Sequence, residues 1–336
     1  DMEDEIRAQV DNLGKTVVIC RTGDPKSLRD LAIGSPQAAR SIILLGPEDS
    51  VDPDTDVIKA ALALTSSPAH SGVKYHIVGE LTDPANLDIA HIVGGEEARW
   101  IVGPELIGRI TVQTCRQSGL SNIYQELLDF DRNEIYVTDQ PSLVGLTYFD
   151  AQLSFDDSTV IGVVRSGGVL NPIGTLVLEV GDQLIVIAED DSAIRLGQPH
   201  PITPTGITQR ERPAPAPERI LVLGENQTLS TMLIELDQYV APGSAATIVT
   251  RRNPRPLPEL VGLTVTAQQG DATNRRTLEA LDPTAFDHII VLADMTVGAQ
   301  QADSRTLLTL LHLRDIASRA GKDLNIVTEM LEDAQR

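Results

Sequence analysis

Gly270-Asp271-Ala272-Thr273-Asn274-Arg275-Arg276-Thr277-Leu278, running on to His288-Ile289-Ile290-Val291-Leu292, decides how this 336-residue chain is organised. Gly-Asp, then an apolar residue at helical spacing, then an unbroken β-branched run, reads as a turn, a helix and a buried strand. The same order stands much earlier, where Gly23-Asp24 begins a segment ending in Ser41-Ile42-Ile43-Leu44-Leu45. In both places 18 residues separate the glycine from the first residue of the closing run, and the two copies lie 247 residues apart. At that same offset Asp56, before the apolar run 57–64, falls on Asp303, before 304–311. A later strand pattern, Ile77-Val78-Gly79-Glu80-Leu81, matches Ile326-Val327-Thr328-Glu329-Met330 at an offset of 249. Two copies of one βαβ module follow, which is the pattern of an α/β fold with parallel sheets.

Copy two also has elements upstream of its Gly-Asp: a strand at 219–223, a helix at 229–239 and a strand at 246–250. Gly224 precedes Gly270 by 46 residues, so the matching point of copy one falls before residue 1. Copy one is therefore expected to be an incomplete Rossmann-like sheet, beginning within a helix at 3–10 and lacking its first strands. A parallel sheet without its central strand exposes apolar edges, so an upstream segment of the native protein is expected to complete it.

Between the copies the pattern changes. Residues 133–191 carry short β-rich runs punctuated by Gly167-Gly168, Asn171-Pro172 and Gly181-Asp182, a small β-rich lobe. Residues 197–217 hold six prolines, at 199, 201, 204, 213, 215 and 217, and read as an interdomain linker. The expected division is 1–130, a truncated first lobe with crossover helices; 131–196, the β-rich lobe; 197–217, the linker; and 218–336, the second lobe.

Composition narrows the function. There are 48 Asp and Glu against 27 Lys and Arg, a formal charge of −21, which argues against nucleic acid as a partner and against anionic membrane surfaces. Aromatics are only 3% while hydrophobic residues are 41%, so Leu, Ile, Val and Ala must fill the core. No apolar run approaches the length of a membrane helix, and the first residues lack the pattern of a signal peptide. Cys20 and Cys115 read as two buried free thiols. No nucleophile elbow, phosphate-binding loop or metalloprotease motif occurs, so a conventional enzyme is not expected.

Two places carry chemical signals. The turn Gly224-Glu225-Asn226-Gln227-Thr228-Leu229 keeps one of the three glycines of a dinucleotide fingerprint, and Thr250-Arg251-Arg252 stands where an acidic residue would hold ribose hydroxyls. Nicotinamide binding is not expected there. The second signal is acidic: Glu48-Asp49-Ser50-Val51-Asp52-Pro53-Asp54-Thr55-Asp56 follows a strand at the carboxyl edge of a sheet. Alternating Asp52, Asp54 and Asp56 suit a hard cation, although Val57 and Ala63 replace the glycine and glutamate of a calcium loop. Helix capping by the same acids is the plainer role. Glu80, echoed by Glu329, lies at the same edge, where a solvated or paired carboxylate is the plainer role.

The ordered set of elements resembles tandem RCK domains (regulator of K⁺ conductance, the TrkA nucleotide-binding type). Gly270-Asp271-Ala272-Thr273 with 289–292, and Gly23-Asp24 with Leu28 and Leu31, carry the likeness in the two lobes. Leu143-Val144-Gly145, 160–168 and 181–187 are similar to the TrkA C-terminal lobe. Arg219 to Asn226, Glu235 to Ser244 and the opening Met2 to Ala8 resemble the castor/pollux group of ion channels. The resemblance implies a gating-ring module on the cytoplasmic side of a membrane. It also implies a homo-oligomer, a tetramer forming an eight-domain ring, below a transmembrane pore upstream in the native protein. In that family residues 109–128 would pair subunits, and the ligand would be Ca²⁺, Glu80 matching a strand-end glutamate that binds calcium. The metal set expected here is Asp52, Asp54, Asp56 and Glu80. The alternative is a nucleotide-sensing peripheral subunit of a TrkA/Ktr-type cation transporter.

Overall fold

The computed structural model describes all residues except 1, 11–13, 48–49, 68–69, 71, 118, 130–131, 198–213, 254–255 and 332–336, and the side chains of 5, 7 and 9. Glu48, Asp49 and most of the 197–217 linker thus lie outside the described residues. The chain forms two compact units, one made of Asp1–Val112 with Glu218–Arg336 and one of Gln113–Pro217.

Copy one runs α1 (Met2–Gln9), α2 (Leu28–Leu31), β1 (Ile42–Leu44), α3 (Pro53–Thr65), β2 (Ile77–Leu81), α4 (Leu87–Gly94), β3 (Ala98–Val102) and α5 (Gly103–Arg116). Its three strands are parallel in the order β1-β2-β3, with Ile42 opposite Ile77 and Ile77 opposite Ala98. Strand β2 is central, and Ile77 and Leu81 are fully buried. Helix α3 begins where Asp52 accepts the Thr55 N–H at 3.2 Å and Pro53 takes the first turn, a position that needs no amide donor. Val57, Ala60, Ala61 and Leu64 then form its buried stripe.

The sheet stops at β1, whose Ile43 is 69% exposed. Residues 16–22 occupy the repeat position of the outermost strand of copy two, yet they form no strand, and Val17 and Ile19 are exposed. The reason is physical: an outer parallel strand needs its inner neighbour, and among the described residues none stands between 16–22 and β1.

The second unit takes the last residues of α5, then α6 (Leu120–Leu128), β4 (Glu134–Asp139), α7 (Tyr148–Gln152), β5 (Thr159–Val164), β6 (Gly168–Leu170) and β7 (Gln183–Ala188). Its antiparallel order is β4-β7-β5-β6, with a register shift between Val160 and Gly162. Thr147 and Asp150 form a reciprocal capping box on α7. Leu143, Tyr148, Phe155, Val160, Leu184 and Val186 make its core.

Copy two comprises β8 (Arg219–Leu223), α8 (Leu229–Tyr239), β9 (Ser244–Thr250), β10 (Leu263–Gln269), α9 (Arg275–Leu281), β11 (His288–Val291), α10 (Ala299–Ala320) and β12 (Ile326–Thr328). All five strands are parallel in the order β10-β9-β8-β11-β12. Central β8 is buried from Ile220 to Leu223, and the order reverses beside it, which makes the β8–α8 turn the topological switch point. Copies one and two meet where α5 crosses α8. Arg109 Nε donates to Glu235 Oε1 at 2.9 Å, and Gly108 leaves room for Met232.

The register of the repeat needs one correction. Asp303 of α10 accepts the Leu331 N–H at 2.8 Å, and in copy one the carboxylate accepting the matching Thr82 N–H at 2.8 Å is Asp54. Asp54 to Asp303 and Thr82 to Leu331 both span 249 residues, so Asp54, not Asp56, is the counterpart of Asp303. The offset changes from 247 to 249 between β1 and α3, where a loop absorbs two residues without disturbing either element. The thiols also differ from expectation. Neither is in a disulfide, but only Cys115 is buried while Cys20 is half-buried, because 16–22 is not sheltered in a sheet.

Candidate functional site

The acidic segment was read as a cluster of carboxylates, and the structure separates them. Asp52 caps α3. Asp54 and Asp56 lie two apart within one helix, so they project to different sides of it. Asp54 is 2% exposed and accepts four hydrogen bonds: Thr82 N–H at 2.8 Å, Thr82 Oγ1 at 2.8 Å, Asp83 N–H at 2.9 Å and Asn86 Nδ2 at 2.8 Å. Burial pushes its carboxyl up, but the bonds from Asn86, Thr82 and Asp83 outweigh it and hold the group below the usual carboxylate range.

Asp56 instead receives Lys26 Nζ at 2.9 Å and Ser50 Oγ at 2.7 Å, which lower its pKa from outside the sheet. Glu80 is exposed and makes no hydrogen bond or ion pair with a described residue. Among the described residues no three His, Cys, Asp or Glu side chains are placed to hold one metal ion. The expected set of Asp52, Asp54, Asp56 and Glu80 is thus not brought together in this geometry, because helix start and sheet edge use the aspartates.

Chemistry gathers instead at the carboxyl edge of copy two. A cavity of about 190 Å³ opens there between the ends of β8, β9, β10 and β11 and the first turns of α10. Two glycines let the backbone close round it. Gly224 has φ +107°, and a Cβ there would stand 2.8 Å from the Leu292 carbonyl oxygen; one on Gly270 would stand 2.8 Å from Val249 Cγ1. Buried Thr306 and Thr309 of α10 line the cavity.

Three arginines rim it. Arg251 pairs with Asp271 at 3.4 Å, Arg305 pairs with Asp294, and Arg252 donates to Thr296 Oγ1 at 3.1 Å without a carboxylate partner among the described residues. Burial raises Asp271, but the Thr273 hydrogen bonds and the Arg251 and Arg305 charges bring it below its ordinary value. The negative charge of the whole chain therefore does not describe this edge.

Behind the β8–α8 turn sits a carboxylate that sequence reading had left as a solvated or paired edge residue. Glu329 follows β12 and accepts Asn226 Nδ2 at 2.7 Å, Ala293 N–H at 3.1 Å and Thr228 Oγ1 at 3.2 Å. Burial drives its pKa up and the three donors only partly offset this. The echo between Glu80 and Glu329 was visible in the repeat, but its environment was not. Asn226 and Thr228 belong to the upstream half of the module, which has no counterpart among the described residues of copy one. Arg305 was missed because nothing at sequence level ties a helix arginine to a strand end 55 residues earlier.

A tandem of parallel Rossmann-like halves with a separate β-rich lobe is the fold of RCK domains in gating rings. The human SLO3 gating ring has this fold, with a TM-score of 0.59 at 12% identity over 87% of this chain and 62% of that one. The RCK domain of GsuK aligns over 91% of this chain and 63% of its own, at 19% identity and a TM-score of 0.42.

In sequence the likeness narrows to Castor and Pollux. Residues 104–203 match the family described as Castor and Pollux, part of voltage-gated ion channel. The probable ion channel CASTOR of Oryza sativa subsp. japonica is 36% identical over 95% of this chain, and the probable ion channel POLLUX of Arabidopsis thaliana 34% identical over 95%. The chain spans about two fifths of these relatives, 38% and 40% of their lengths. Over nearly all of its length the chain is thus similar to a part of the Castor/Pollux ion channels. Among the described residues no helix is long and apolar enough to cross a membrane.

Proposed function

We propose that this chain is the ligand-sensing gating-ring module of a cation channel, on the cytoplasmic side of the membrane, and that ligand binding is coupled to opening of a pore carried elsewhere in the protein. The observation that carries the reading is the pocket at the switch point of copy two, in a unit where two copies of one module pack through α5 and α8. A ligand there touches strand ends and α10 together, so it can favour one arrangement of these elements over another. A tetramer of such chains gives a ring of eight Rossmann-like lobes, with the helices of 109–128 as pairing elements. The segment division made from sequence, 1–130, 131–196, 197–217 and 218–336, is kept as the assignment of lobes and linker.

Calcium sensing in copy one is a second reading, favoured by the free carboxylate of Glu80 at the end of β2. On that reading Ca²⁺ would draw on Glu80 with Asp52, and Asp54 and Asp56 would join only by giving up Thr82, Asn86 and Lys26. A peripheral nucleotide-sensing transporter subunit is not favoured by any contact described above.

Calorimetric titration of the chain with Ca²⁺, Na⁺, ADP, NAD and phosphate esters tests the function. Saturable binding of one of them, lost on substitution at its site, is the expected result. Absence of binding by all of them, with channel opening unchanged by substitutions in the pocket and at Glu80, would contradict it.

A further inference from the structure

The pocket of copy two is polarised opposite to a dinucleotide site. In a Rossmann dinucleotide site the first strand–helix turn offers free donors to a pyrophosphate, and an acidic residue at the end of the second strand holds ribose hydroxyls. Here the donors of the turn are already taken by a carboxyl group. Glu329 takes the donors of Asn226, Thr228 and Ala293, and Glu225 lines the cavity beside Gly224. The Thr228 N–H is bound internally by Asn226 Oδ1 at 2.9 Å. The second-strand end is cationic: Arg251 and Arg252 follow β9, and Arg305 faces the same cavity from α10. A volume of about 190 Å³ is also small, since pockets for larger ligands run from ~300 Å³ upward.

We propose that this pocket binds a phosphomonoester of sugar or mononucleotide size, its phosphate on Arg252 with Arg251 and Arg305 and its neutral body against Gly224, Leu292 and Thr306, and that it rejects pyrophosphate-linked dinucleotides. The proposal rests on the reading of this pocket as the sensory site. Arg252 is the lead contact because it alone of the three has no carboxylate to give up. A phosphate there gains charge-assisted bonds from a planar donor fork without first breaking an ion pair. A pyrophosphate laid across the β8–α8 turn would meet Glu225 and the half-buried Glu329, whose oxygens already hold the donors of Asn226, Thr228 and Ala293, and would find the Thr228 N–H bound to Asn226.

The test is calorimetric titration of the whole chain with ribose 5-phosphate, adenosine 2′-monophosphate, inorganic phosphate and NAD, at fixed low salt. The expected result is saturable binding of at least one of the two monoesters, tighter than NAD. The two arms separate a sugar phosphate from a nucleotide as its source. Arg252→Gln, at an exposed residue whose loss leaves the core intact, should weaken the monoester about tenfold or more. Glu329→Gln should leave monoester binding in place and raise the affinity for NAD.

NAD binding as tightly as either monoester, or Arg252→Gln leaving monoester affinity unchanged, would overturn the assigned polarity while keeping the pocket as a sensor. Binding of none of the four would overturn the assignment of ligand class. Failure of the sensor reading itself is then read separately, from Ca²⁺, Na⁺ and ADP titrations and from channel opening.

Discussion

Asp54 is the residue on which the two readings of the acidic segment divide. A calcium ligand keeps lone pairs for an ion; Asp54 spends its own on Thr82, Asp83 and Asn86, tying the start of α3 to the end of β2. Asp54→Ala should therefore destabilise the protein by about 2–4 kcal/mol in a denaturant titration, since it strands several buried donors. Because its folded pKa is depressed, this stabilisation is present at neutral pH and is lost as the pH falls from the ordinary aspartate value near 3.8 through the lower folded value. Asp56→Ala, which removes a surface ion pair to Lys26 and one hydrogen bond from Ser50, should cost less than Asp54→Ala in the same titration.

Glu329 has the opposite sign. Its folded pKa is raised, so its contribution is most favourable below the ordinary 4.5 and declines as the pH rises through the folded value. Glu329→Gln, which keeps an acceptor and cannot ionise, should be more stable than wild type at pH 7, with the difference vanishing below about pH 4.5. A difference independent of pH across that range would show that Glu329 is not buried as described. Neither environment could be read from composition or motif. Glu329 was marked by the repeat and Asp54 by the alternating aspartates, but whether such a carboxylate is solvated or held by donors depends on residues far away in sequence.

At the scale of elements, most of the fold was legible. The Gly-Asp segments, the closing β-branched runs and the hairpin around Arg165 to Gly168 became turns, strands β1, β11, β5 and β6, each where hydrophobic period and turn residues placed it. Among the described residues copy one shows three parallel strands where copy two shows five. What was not legible was the slip of the repeat from 247 to 249, since a loop insertion leaves both helix and strand periodicity intact.

Strand β2 gives the element-level prediction. Gly79 sits where a Cβ would come 2.3 Å from the Trp100 ring, so β2 and β3 can pair with Trp100 folded over them only if residue 79 has no side chain. Gly79→Ala should cost about 1–3 kcal/mol from overpacking and lower the melting temperature of the unit that holds copy one. An unchanged melting temperature would mean that Trp100 has room to move.

On the scale of the whole molecule, the subunit pairing proposed for 109–128 would cover the exposed Ile123 of α6. Light scattering should give a multiple of two subunits, and a strictly monomeric mass at high concentration would count against a ring. The net charge of −21, which argues against nucleic acid as a partner, is a property of the whole surface. The pocket of copy two is governed by three arginines brought together from β9 and α10, which is why overall charge did not foretell it. The most direct test of the account is single-channel recording of the full-length protein in a planar bilayer, comparing wild type with Arg251→Gln/Arg252→Gln while ribose 5-phosphate or adenosine 2′-monophosphate is added to each side in turn. The account predicts that open probability of the wild type changes on addition from one side only and that the double variant conducts but no longer responds; a wild type indifferent to both compounds, or a double variant that responds equally, would contradict it.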